Sequence, residues 1–286
     1  MIAIHFEEEH DCKQLFHQLT AYIQKYAKYG LGGAVNAEGD DTIILNYEHK
    51  HINFYDSFHP LLASVLTDYV ISTKEDDWLL DIIENMFYFT DNEEQEQILT
   101  IARSILEGDR NDLPQMKPFF NRRAFIYDAF AKHLEEETTF YYEPFLTFRL
   151  RDYGEILIDC VEIAIDEYML EQEYQNMIED FRQFVQFKRS KVELVYVVHD
   201  GSFTFYDEHF RRMTREELLF HLQDDLVFEQ EVDIQDMVIS PLVSMVPGLV
   251  HVFTDDPDHG VILSIQAIFQ ERMKLFPLKA YEQDWN

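Results

Sequence analysis

The stretch from residue 153 to 188 constrains the fold more than any other. It is the longest run in the chain with helical periodicity. Its first half is apolar on most sides, through Ile156, Leu157, Ile158, Cys160, Val161, Ile163, Ala164 and Ile165. A helix apolar nearly all round must be buried. Its second half narrows to one stripe, Tyr174, Met177, Ile178, Phe181, Phe184 and Val185, which predicts a surface helix covered on one side. At 189–191 the period changes. Val192–His199 is rich in β-branched residues, and Asp200-Gly201-Ser202 then leads into Phe203–Tyr206. Asp-Gly between two such runs predicts a β-hairpin, because glycine supplies the positive φ of the turn. A helix is expected over 215–226, and another over 233–246 that Pro241 bends or breaks. Leu249–Phe253, residues 260–271 and Met273–Phe276 read as strand, helix and strand, the spacing of a βαβ crossover.

The rest of the chain divides in two. Residues 1–6 read as a strand and 10–29 as a helix ended by Gly30, Gly32 and Gly33. Thr42–Tyr47 and His51–Tyr55 read as a pair of strands. Helices are expected near 58–72, 75–89, 92–107, 118–136 and 140–150. The fold class is therefore α+β: a small N-terminal α+β unit (1–56), a mainly helical middle (57–190) and a C-terminal α/β module (191–286) with a hairpin and a βαβ crossover. At 47% hydrophobic residues, with 24 Phe and 16 Tyr, the chain has ample material for a core.

Charge narrows the partners. With 23 basic and 55 acidic residues the formal net charge is −32. Such a field repels phosphate backbones and anionic lipid surfaces, so neither nucleic acid nor membrane is an expected partner. No segment reaches the roughly 18–20 uncharged apolar residues of a membrane span. The N-terminus has no basic region or long apolar stretch of a signal peptide. Cys12 and Cys160 form no CxxC and no Cys/His spacing, which argues against a disulfide framework and fits a reducing cytoplasm.

Few residues suggest chemistry. The glycines at 30, 32 and 33 follow a helix, the reverse of a dinucleotide fingerprint. His49 and His51 share a strand face, with His59 near in sequence, but zinc needs three or four convergent ligands. His199, Asp200 and Ser202 are explained by a hairpin turn. There is no G-x-S-x-G elbow. Lys188, Arg189 and Lys191, and Arg211, Arg212 and Arg215, are the concentrated positive groups, read as surface charge. The acidic loop Thr254–Gly260 is the most suggestive segment. It should lie at the C-terminal end of a parallel strand, where Asp255, Asp256 and Asp258 could hold a hard cation or simply cap a helix. No motif requires a cofactor.

The segments Phe181-Arg182-Gln183-Phe184-Val185, Val192–Val198, Leu249–Phe253 and Ile265–Met273 together resemble the YtxC-like family of sporulation proteins of endospore-forming Firmicutes. The resemblance implies a cytoplasmic protein of sporulating bacteria, and it brings no active-site residues with it. The reading that follows is a non-enzymatic protein acting through contacts with a protein partner. The alternative is a metal-dependent hydrolase or small-ligand enzyme using the 254–260 loop.

Overall fold

The computed structural model describes residues 1–47, 53–110, 121–221 and 238–285. They form an α+β protein of two compact units, Met1–Met169 and Leu170–Asn286.

In the first unit, β1 (Ile2–His5), β2 (Gly33–Glu38) and β3 (Thr42–Tyr47) build a sheet with β4 (Thr138–Tyr141), in the order β2-β3-β1-β4. β1 runs antiparallel to β3 and parallel to β4. The helices are α1 (Glu9–Ala27), α2 (Phe58–Thr73), α3 (Glu75–Asp81), α4 (Asn92–Glu107), α5 (Arg122–His133), α6 (Tyr142–Arg149) and the first part of α7 (Arg151–Phe187). Their apolar faces meet in one core that includes the buried Tyr69, Tyr142 and Tyr153.

Several expectations are corrected here. The hairpin is β2–β3, paired over six positions from Gly33↔Tyr47 to Glu38↔Thr42. In the described part of the expected second strand, Phe54 and Tyr55 lie in a turn before α2. Phe54 is buried there against Tyr47 and Phe58, so its ring packs as a core anchor. His49 and His51 lie outside the described residues. Gly30 does follow the end of α1, with φ of +94°. Gly33 instead opens β2, where an added Cβ would stand 3.0 Å from the Phe58 ring. The helix expected over 75–89 ends earlier. α3 stops at Asp81 and widens into a π-helical turn, Ile82–Met86, followed by Tyr88 at φ +63°. The expected start of a helix at Pro118 lies outside the described residues.

α4 matches its expected bounds because both ends are capped. Asp91 accepts hydrogen bonds from the backbone N–H groups of Glu93 (2.9 Å) and Glu94 (3.1 Å). Gly108 closes the helix at φ +82°.

In the second unit, β5 (Val192–His199), β6 (Phe203–Tyr206), β7 (Pro247–Thr254) and β8 (Met273–Phe276) form a sheet in the order β6-β5-β7-β8. β5 and β6 are the expected hairpin, with Gly201 at φ +89°. β7 and β8 are parallel neighbours joined through α10 (Gly260–Phe269), the expected crossover. Strand alternation sorts the two faces. Val195, Val197, Val250 and Val252 face a core with Ile178, Phe181, Val185, Ile262 and Ile265. Tyr196, His251, Phe253 and Phe276 form an aromatic layer joined by Phe210 and Tyr281. Tyr281 belongs to α11 (Leu278–Trp285), a helix the periodicity did not suggest. α8 spans Arg215–His221. The described part of the Pro241 helix is α9 (Ile239–Met245), with Pro241 in its first turn, where proline does not break a helix.

Candidate functional site

The acidic loop ends β7. Asp255, Asp256 and Asp258 are all exposed. Asp255 Oδ1 accepts from the backbone N–H of Leu278 at 3.1 Å, so it caps the start of α11. The N–H of Asp256 donates to Thr254 Oγ1 at 3.0 Å, a local turn contact. His259 accepts from the N–H of Val261 and caps α10. Among the described residues, no three His, Cys, Asp or Glu side chains gather with the geometry of a metal site. Imidazoles do gather at the same sheet end: the rings of His199 and His259 lie 4.6 Å apart, both beside Phe203. His199 Nδ1 is 3.0 Å from Thr254 Oγ1, and Ser202 donates to Asp200, which leaves a hairpin turn and no nucleophilic triad. In the first unit, His59 Nε2 lies 2.9 Å from the Ala131 carbonyl oxygen.

Of the positive groups, Arg211 pairs with Asp207 (3.1 Å) and Glu217 (2.8 Å), and Lys188 stands over the Phe184 ring.

A better-formed site lies in the first unit. Between α3 with its π-helical turn, α6 and the start of α7 runs a groove of about 410 Å³. Its walls are apolar: Trp78, Ile82, Leu146, Leu150, Leu157 and Ile158. Apolar walls with a few placed polar groups are the usual make-up of a binding site. Gly154 also lines it, and a Cβ there would meet nothing within 4 Å.

The polar groups of the groove are Lys74, Asp81, Glu143, Thr147 and Arg151. Almost all have partners within the protein. The Lys74 ammonium donates to Asp11 Oδ2 at 2.5 Å, while Asp11 Oδ1 accepts from the Tyr69 hydroxyl at 2.8 Å. Asp11 is buried, so this network neutralises the lysine next to the groove. Burial and the bond to Asp11 together hold the Tyr69 pKa well above the usual phenol range. Asp81 accepts from the Asn85 amide at 2.7 Å. The Thr147 hydroxyl donates to the Glu143 carbonyl oxygen at 3.1 Å. Arg151 is exposed and 3.9 Å from Glu155.

Glu143 is the exception. Both of its carboxylate oxygens are closed to solvent and neither has a hydrogen-bond partner. The hydroxyl of the preceding residue, Tyr142, is equally orphaned. Burial raises the Tyr142 pKa, with Tyr69, Asp11 and Glu143 adding to it. Sequence reasoning missed Glu143 because a glutamate before Pro144 reads as an ordinary first-turn carboxylate at a helix N-terminus.

A family model described as "YtxC-like family" matches residues 60–274. The chain belongs to the YtxC-like family. It is 34% identical over 281 residues to a Bacillus subtilis (strain 168) protein named "Uncharacterized protein YtxC", an alignment covering 98% of this chain and 96% of that relative. No solved structure matches the chain. The family match spans both Glu143 and the acidic loop, and includes every groove residue. Among the described residues, no helix is long and apolar enough to cross a membrane.

Proposed function

We propose that this YtxC-like protein is a non-enzymatic cytoplasmic protein of sporulating bacteria that works by holding part of another protein in the groove beside α6. The groove itself carries the reading: it is open, apolar-walled and large enough for one or two side chains. The acidic charge of −32 favours a basic partner. The thiols offer little nucleophilic chemistry, since burial pushes Cys160 up to about 12 and also raises Cys12.

The test is a comparison of tagged wild type with Gly154→Phe, which fills the groove. Both are recovered from sporulating cells at equal abundance. A protein retained by the wild type and lost by the variant is the expected result. Recovery of the same proteins by both, or of no reproducible partner, would end this reading.

A further inference from the structure

Among the residues lining the groove, Glu143 is the one whose polar side-chain atoms are closed to solvent without a hydrogen-bond partner. Lys74 is neutralised by Asp11, Asp81 holds Asn85, and Thr147 bonds backbone. A carboxylate shut from water without a partner is costly, so it persists best where something else completes it. We propose that Glu143 is the counter-ion for a basic side chain of the partner, an ammonium or guanidinium on an apolar stem. This rests on the protein-contact reading above and adds the chemistry of what is held.

The geometry suits that occupant. A lysine or arginine stem is apolar and would lie along Trp78, Leu146 and Leu150, while its charged end reaches Glu143. Glu143 lines the groove with both oxygens closed to solvent, so the charged end of an occupant would meet them through a change of the Glu143 rotamer. Trp78 adds an aromatic face for a cation. A carboxylate-bearing occupant would instead meet the unpartnered Glu143 oxygens and be repelled.

The test uses the full chain carrying Trp285→Phe, so that Trp78 is the remaining tryptophan and reports on the groove. Emission is titrated with hexylamine, hexanol and hexanoate, and with an acetylated and amidated Leu-Lys-Leu peptide and its acetyl-lysine form. Hexylamine and the lysine peptide should bind about tenfold or more tighter than their uncharged or anionic counterparts. Glu143→Gln should erase that preference while leaving hexanol binding unchanged. The ranking of probes on the parent protein needs no variant to fold, so a poorly folded Glu143→Gln leaves the test intact. Hexanoate binding as tightly as hexylamine would overturn the proposal. So would an amine preference that survives in Glu143→Gln, or no saturable response to any amine. Binding of hexylamine but not of the lysine peptide would overturn the assignment to a protein side chain. These results are separate from the Gly154→Phe recovery. A partner lost by Gly154→Phe but kept by Glu143→Gln would retain the protein-contact reading and remove this one.

Discussion

Arg122 Nη1 donates to Glu75 Oε2 at 2.8 Å, and Glu75 is almost wholly buried. The Tyr153 hydroxyl donates to the other oxygen of the same carboxylate. α3, α5 and α7 are thus tied to one buried charge. Burial raises the Glu75 pKa, against the lowering effects of Tyr153 and Arg122. Removing one member of such a pair strands the other. Arg122→Leu should cost on the order of 3 kcal/mol, the low end for a buried pair because Arg122 keeps some exposure. Tyr153→Phe should cost about 1.5–3 kcal/mol, the range for hydrogen bonds to charged groups. The double variant Glu75→Gln with Arg122→Leu should recover part of the first loss. Urea unfolding checks all three. A loss within about 0.5 kcal/mol for Arg122→Leu, the range of ordinary surface changes, would mean the charge is not held as described.

Much of the second unit was legible because its signals are local. Val192–His199, Phe203–Tyr206 and Met273–Phe276 are strands with the bounds their periodicity gives. β2 and β4 were not legible. Gly33–Glu38 has little β-forming character and becomes a strand by pairing with β3. Thr138–Tyr141 becomes one by lying parallel to β1, far away in sequence. The groove was hidden for the same reason. Its residues run from Lys74 to Ile158, and only tertiary packing leaves Glu143 without a partner. The acidic loop was legible as a loop, but not the fact that Asp255 is engaged by Leu278 in an unanticipated helix.

Two glycines should respond oppositely to the same substitution. Gly154 lies within α7 with open space around an added Cβ. Gly154→Ala should stabilise the protein by about 0.5–1 kcal/mol, the usual gain over glycine in a helix. Gly201 has equally open surroundings, but its φ is +89°. Gly201→Ala should therefore destabilise, by more than about 1 kcal/mol. Denaturant midpoints of the two variants give the comparison. Equal signs would show that space rather than backbone conformation decides at one of these sites.

Glu143→Gln should make the free protein more stable, because it replaces an unpartnered buried charge with a neutral amide of similar size. Thermal melts of both proteins check this. Adding the lysine peptide should then raise the melting temperature of the wild type by more than that of the variant, whose response should match that to the acetyl-lysine peptide, since a ligand stabilises the state it binds in proportion to its affinity. A variant that melts lower than the wild type without ligand would mean the carboxylate already has a compensating partner.

The aromatic layer of the second unit carries a pH dependence of known sign. His251 lies between the rings of Tyr196 and Phe276, at 5.6 Å and 5.1 Å. Its Nε2 is buried without a partner. Burial, and then the charge of Lys274, lower its pKa from the ordinary value of 6.5. The folded protein therefore binds this proton less readily than the unfolded chain. The stability this confers is fully present above pH 6.5 and is lost as the pH falls through the lowered folded value. His251→Phe keeps an aromatic ring between Tyr196 and Phe276 and removes the titrating group. The difference in unfolding free energy between wild type and variant should therefore shift against the wild type on acidification below 6.5 and stay flat above it. His133, whose pKa is also lowered by burial, is common to both proteins and cancels in the difference. A difference that is constant with pH, or that moves in favour of the wild type in acid, would show that His251 is protonated as easily in the folded layer as in water.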